Sequence, residues 1–181
     1  MYSFRSVFTF CVIGIFWLAT PLGAERLPVP SQPPKLSAGS RPLNQNSGYE
    51  FAGTVKAIEH VTATGHGVST TRITFHVDTA VRGVRTGQTL VITEWAGLWG
   101  SREQYRVGER VFLFLYPVSK LGLTSPVQGT SGKFRIAGNG RVVVRPEQKG
   151  ALPERVARII GDQREIELTE WAGALRMAEN E

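Results

Sequence analysis

The stretch that decides the fold begins Tyr105-Arg-Val-Gly-Glu-Arg-Val-Phe-Leu-Phe-Leu-Tyr-Pro117 and ends Gly132-Lys-Phe-Arg-Ile136. Within it, the segment from Val111 to Tyr116 is the longest unbroken apolar run outside the N-terminus. A short apolar run bounded by turn residues is typical of a strand buried on both faces. We therefore expect the rest of the domain to close around this strand.

The remaining pattern favours an all-β domain. A chain of 181 residues, with 20 glycines and 10 prolines, leaves room for one domain of roughly 100–130 residues. Residues 51–60, where the alternation slips at Gly53 or Ala57, predict a bulged strand. Residues 71–81 and 89–94 alternate between apolar and polar side chains, as half-buried strands do. A last hairpin is predicted from Phe134 to Arg145, with its turn at residues 138–140.

The pattern changes after Pro146. Residues 153–160 place apolar side chains on one side and end at Gly161, which predicts a short helix. Residues 169–178 predict a better one, with Thr169 as its cap and Trp171 on its apolar face. The predicted organisation is thus a β domain over residues 49–146 followed by a C-terminal helical segment over 147–181.

The N-terminus has the pattern of a secretory signal peptide. Arg5 precedes an apolar stretch, Pro21 ends it, and Ala24 offers a small residue for cleavage, which predicts a signal peptide over residues 1–24. The protein is then exported to the periplasm, the cell surface or the medium. The alternative is an uncleaved N-terminal membrane anchor, although a spanning helix needs about 20 apolar residues. Residues 25–48 hold five of the prolines and predict a flexible linker.

The strands, the basic body and the terminal helix resemble an oligonucleotide/oligosaccharide-binding (OB) barrel. Three motifs are similar to the netrin-like modules of tissue metalloproteinase inhibitors: the Gly53-Thr-Val55 opening, the strand that leads to Arg82-Gly83, and Tyr105-Arg-Val-Gly-Glu-Arg-Val-Phe-Leu-Phe-Leu115. They are still more similar to bacterial exported proteins of unassigned function that share this strand and a later Gly-x-Phe-Arg, here Gly132 to Arg135. The resemblance implies a small closed or partly open OB-like barrel of five to six strands. It does not imply protease inhibition, because those inhibitors bind the protease zinc through an N-terminal cysteine, and the chain's one cysteine, Cys11, lies in the predicted signal peptide.

Charge is distributed unevenly. Residues 50–149 contain 13 Lys or Arg against 7 Asp or Glu, whereas residues 150–181 contain 4 against 7. A basic body with an acidic tail suits a polyanionic partner, such as nucleic acid or an anionic polysaccharide, or an anionic membrane surface, or serves only solubility.

No catalytic or metal-binding constellation stands out. Among the three histidines, His60 and His66 flank a predicted loop and His76 lies on a strand, but no cysteine or spaced carboxylate completes a zinc site. Ser69, His76 and Asp78 supply the residue types of a hydrolase triad without a local signature that supports one. We therefore predict that the protein binds no metal or cofactor and is not an enzyme. A hydrolase with an unrecognised site is the third functional hypothesis, after the two binding functions described below.

The loop between the third strand and the central strand is the most suggestive binding element. Exposed aromatic rings beside arginines can stack on sugars, bases or a partner's side chains. The alternative is that the tryptophans cap the core from beneath a long loop. We predict a non-catalytic binding module at the cell envelope, with an envelope or secreted protein as its partner and polyanion binding as the alternative. The predicted binding residues are Trp95, Trp99, Arg102, Tyr105 and Arg106.

Overall fold

A computed structural model describes residues 41–63, 67–99 and 105–179 of the chain. The strands are β1 (Tyr49–Val61), β2 (Thr70–Arg82), β3 (Thr89–Trp95), β4 (Arg110–Leu115), β5 (Lys133–Ile136), β6 (Arg141–Val143) and β7 (Glu165–Glu167). The helices are α1 (Leu43–Asn46), α2 (Pro146–Lys149), α3 (Glu154–Ile160) and α4 (Leu168–Ala178), and 3₁₀ turns cover Ala96–Trp99 and Gly129–Gly132.

All seven strands form one antiparallel sheet in the order β3-β2-β1-β4-β5-β6-β7. The prediction of a mostly β fold with C-terminal helices is confirmed. The closed barrel of five to six strands is wrong, because the sheet has seven strands and stays open. The physical reason is that β5 uses its second edge to pair with β6, so that edge is not available to β3.

Strand β4 is buried on both faces, as its apolar run predicts. Phe112 and Phe114 point to one face, whereas Val111, Leu113 and Leu115 point to the other, and all five side chains are fully buried. The alternation of the strand sends these two sets into two separate apolar clusters. The sheet therefore has a core on each side of its central strand.

The first core lies between the sheet and the C-terminal helices. Helix α4 buries Trp171 among Phe112, Phe114 and Phe134, with ring centroids 5.0–6.4 Å apart. Aromatic pairs at such distances, edge-on or tilted, add stabilisation beyond the area that they bury. Trp171 is thus the side chain through which the helical segment is joined to the sheet.

The second core lies on the opposite face of β1 to β4, where the sheet curls over itself. Strand β1 shifts register against β2 at Glu50/Phe51, Ala52/Gly53 and Val55/Ala57, which confirms the predicted bulge. Bulges increase the local twist of a strand. At Gly53 an added Cβ would lie 2.9 Å from the His76 carbonyl oxygen, so a side chain there would push the two strands apart.

Two features were missed by the sequence pattern. The predicted linker over residues 25–48 extends too far, because Leu43 is fully buried and its N–H donates to the Ala151 carbonyl at 2.9 Å. Strand β7 lies inside the segment predicted to be helical, where it pairs with β6 and buries only Ile166. A strand of three residues with one apolar side chain shows no readable alternation.

We expect Trp171→Ala to lower the free energy of unfolding by about 3–5 kcal/mol, because it removes a fully buried ring and leaves a cavity. Urea denaturation measures the change. Met177→Ala, which truncates an exposed side chain of the same helix, should stay within about 0.5 kcal/mol of the wild type. Equal losses of unfolding free energy in the two variants would contradict the conclusion that Trp171 joins the helical segment to the sheet.

Candidate functional site

Trp95 ends β3 with its indole half-exposed to solvent, at 51%. The ring lies against Gly97 of the following 3₁₀ turn, where an added Cβ would come within 2.5 Å of it. Only glycine leaves room for the ring in this position. The prediction that Trp95 offers an exposed aromatic surface is therefore consistent with its placement.

Trp95 forms one wall of a shallow apolar groove of about 270 Å³. Leu98 of the 3₁₀ turn and Tyr116 and Pro117, which follow β4, also line the groove. None of the described residues that line the groove is charged. The remaining lining residues are Ser119, Leu123, Thr124 and Ser125.

Hydrogen bonds hold the segment that follows β4 in place beside the groove. The Thr124 N–H donates to the Thr93 carbonyl of β3 at 2.9 Å, and the Thr124 hydroxyl donates to the Tyr116 carbonyl at 2.6 Å. A turn closed by the Ser119 N–H and the Leu123 carbonyl (2.8 Å) presents Leu121, which is 82% exposed, at its tip. We call Trp95, Leu98, Tyr116, Pro117, Val118 and Leu121 the Trp95 surface.

Tyr105 and Arg106, two of the other predicted binding residues, do not line this groove. Tyr105 is only 3% exposed, so the prediction that it binds a ligand or partner is corrected: its ring packs against Phe75 in the second core. Arg106 is exposed and its N–H donates to the Glu109 carboxylate at 3.1 Å. The side chain of Trp99 and residues 100–104, which include Arg102, lie outside the described residues.

Sequence reasoning missed Leu98, Tyr116 and Leu121. Tyr116 was read as the last residue of the buried strand, although β4 ends at Leu115. The signal that could have revealed it is Pro117, because the residue after a strand and before a proline is free to leave the ladder.

A second concave feature, which we call the basic cleft, lies at the junction of β5, β6 and α2. It has a volume of about 290 Å³ and contains three cations and one carboxylate. The cross-strand partners of Lys133 and Arg135 are Leu113 and Val111, which places both cations on the sheet face of the second core. The lining residues are Glu109, Thr130, Lys133, Arg135, Val143, Arg145 and Gln148.

Lys133 is held in place from two sides. Its ammonium lies 3.0 Å from the Glu109 carboxylate and 4.5 Å from the centroid of the Tyr105 ring. The Tyr105 hydroxyl in turn donates to Glu94 of β3 at 3.0 Å. Burial lowers the pKa of the Lys133 amine, and the hydrogen bond and charge of Glu109 partly oppose that change.

A buried carboxyl group, that of Glu50, lies near the start of β1. Glu50 is fully buried, accepts a hydrogen bond from the Ser47 hydroxyl and lies 3.5 Å from the Arg82 guanidinium. Arg82 also contacts the Asn44 carbonyl at 2.7 Å and Glu179 at 2.5 Å, so it joins β2 to α1 and to the end of α4. Burial raises the pKa of Glu50 to about 7, against the smaller lowering effects of Ser47 and Arg82.

The residues considered for a hydrolase triad are not brought together. The Asp78 carboxylate accepts from the Thr54 hydroxyl at 2.9 Å and pairs with Arg110 at 3.4 Å, and the Ser69 hydroxyl accepts from the Ala63 N–H. Within the described residues, no hydrogen bond joins His76 to Ser69 or Asp78. In that part of the chain there is also no group of three metal-ligating side chains.

Comparison of the chain with protein-family models, curated proteins and solved structures finds no match. None of the helices in the described ranges has the length and apolar character needed to cross a membrane.

We expect the free energy of unfolding to fall by about 3 kcal/mol as pH rises from 4.5 to about 7, because the folded state holds the Glu50 proton more tightly than the unfolded state does. The stabilisation is fully present below the unfolded pKa and is lost as pH passes the folded pKa. Glu50→Gln should flatten this part of the profile in urea denaturation.

Glu59→Gln is the matched control for this experiment. Glu59 is an exposed carboxylate that pairs with Arg72 on the surface, so its loss should leave the slope unchanged. A slope that persists in Glu50→Gln would show that another group causes the pH dependence.

Proposed function

We propose that this protein is an exported, non-catalytic binding module of the cell envelope, and that the Trp95 surface receives an apolar side chain of a partner protein. The observation that carries the proposal is the groove lined by the exposed side chains of Trp95, Leu98 and Tyr116, with Val118 and Leu121 also exposed in the segment that follows β4. Contiguous exposed apolar side chains on a folded domain mark interaction sites, and tryptophan and tyrosine dominate the binding energy of such sites.

The size and polarity of the groove favour a protein partner over a small ligand. A volume of about 270 Å³ lies below the roughly 300–1,000 Å³ that is typical of small-molecule pockets. The described lining residues are uncharged and mostly apolar, which suits an apolar side chain of a protein better than a polyanion. A single apolar side chain of a partner protein fits both the volume and the apolar lining of the groove. Leu121 then contacts the surface of the partner around that side chain.

The hydrogen-bonded frame of the groove also supports the proposal. Thr124 ties the loop after β4 to β3, and the turn from Ser119 to Leu123 fixes the position of Leu121. A surface that is ordered before binding loses less conformational entropy when the partner arrives.

A partly open OB-like barrel is the finer form of the fold within this proposal. Tyr105 links Glu94 of the edge strand β3 to Lys133 of β5 through side-chain contacts. These contacts join two strands that do not pair along their main chains. The resemblance to exported OB-like proteins supports the cell envelope as the place of action.

Polyanion binding is the second candidate function, and the basic cleft is the observation that favours it. Lys133, Arg135 and Arg145 lie together there with one carboxylate, Glu109. The two candidates differ in their response to salt, because polyanion binding weakens steeply with salt through counterion release, whereas apolar contacts do not.

Affinity capture from envelope extract tests the proposal on the Trp95 surface. We expect the wild-type protein to retain a partner that Trp95→Ala binds about thirtyfold more weakly or not at all, because truncation of an aromatic anchor costs about 2 kcal/mol or more. Retention should change little between roughly 50 and 200 mM salt.

The control variant is Met177→Ala. Met177 is also exposed, at 45%, but it lies on α4, which contacts β2 near Ala80, whereas Trp95 pairs with Thr70 at the other end of β2. Equal capture by the wild type and both variants would overturn the proposal. Capture that depends on low salt and on Arg135 would replace it with the polyanion function.

A further inference from the structure

We propose that the basic cleft is a binding site for a single oxyanion, phosphate or carboxylate, held between the guanidinium groups of Arg135 and Arg145. This site is separate from the Trp95 surface, so the two can fail independently. Some side chains of the cleft hold its walls in place, whereas others are left to bind a ligand.

The walls of the cleft are fixed by a buried side chain. Gln148 is 1% exposed, and its amide group donates to the carbonyls of Lys133 at 2.8 Å, Thr130 at 3.2 Å and Ser131 at 3.3 Å. Its carbonyl oxygen accepts from the Arg145 N–H at 3.1 Å. This amide therefore sets the distance between the start of β5 and the start of α2.

Lys133 helps to hold the cleft in shape through contacts within the protein. Its ammonium is engaged by Glu109 and lies over the Tyr105 ring, so its charge is largely compensated within the protein. Glu109 is the one carboxylate among the lining residues, and this pairing directs it towards Lys133. An incoming anion then meets the remaining cations without a facing acid in the lining.

Arg145 and Arg135 are the two groups left to receive an anion. The Arg145 guanidinium donates to the Thr130 carbonyl at 2.9 Å and contacts Glu147 at 3.2 Å, which positions it while leaving other N–H groups of its fork. Arg135 is exposed, and within the described residues it forms no ion pair. Two guanidinium groups at one cleft suit an oxyanion, because each can donate two parallel hydrogen bonds.

The size of the cleft limits the ligand. A volume of about 290 Å³ accommodates one anionic group and its immediate substituents. The short β5 and β6 strands bound it, with Val143 as its apolar floor. We therefore assign it to a single phosphate or carboxylate group, whether free or carried on a larger molecule.

Titration of the full chain with inorganic phosphate, and separately with citrate, at ionic strength held constant with sodium chloride tests the site. Isothermal titration calorimetry and the amide shifts of residues 129–135 are the readouts. We expect saturable binding of at least one of the two ions, and about tenfold weaker binding in Arg135→Gln, since a hydrogen bond to a charged group contributes this much. The preference between phosphate and citrate distinguishes the two chemistries.

Arg72→Gln is the control variant with the same change in charge, because Arg72 is an exposed arginine of β2 outside the cleft. It should bind like the wild type, as should Trp95→Ala, and a thermal melt should show that Arg135→Gln is folded. Binding that does not saturate, that is unchanged in Arg135→Gln, or that weakens equally in Arg72→Gln would overturn the proposal.

Discussion

The fold depends on one strand that cannot face water on either side. Strand β4 sends Phe112 and Phe114 into one core and Val111, Leu113 and Leu115 into the other. Burying a large apolar side chain contributes about 1.5–3 kcal/mol, so exposure of either face would remove a large fraction of the stability of a domain of this size. One face is covered by Trp171 and the helices, and the other by the curled part of the sheet.

The sheet face that carries the second core changes from apolar to charged between β4 and β5. On β1 to β4 that face is a core, but on β5 it presents Lys133 and Arg135, the cross-strand partners of Leu113 and Val111. Tyr105 lies at the boundary, with its ring in the core, its hydroxyl on Glu94 and Lys133 above it. The same residue thus closes the apolar core and begins the basic cleft.

The sequence predicts features that arise from local pattern and misses those that depend on which strands meet. The burial of β4, the bulge in β1 and helix α4 follow from apolar runs, glycine placement and helical spacing. The pairing of β6 with β7 does not, because Ile166 alone is buried there. The prediction that Tyr105 is a binding residue was wrong for a related reason. An aromatic residue in a loop is expected to be exposed until its hydrogen-bond partner, Glu94, is known.

The same distinction explains why the two candidate surfaces differed in predictability. Trp95 could be named from the sequence because tryptophan in a glycine-rich loop is unusual by itself, whereas Tyr116 joins it in the groove only through the tertiary fold. The basic cleft could be foreseen only as a net charge, since which cations are compensated is decided by Glu109 and Gln148. Net charge counts Lys133, Arg135 and Arg145 equally, but the fold pairs Lys133 with Glu109 and Arg145 with Glu147, whereas Arg135 forms no ion pair within the described residues.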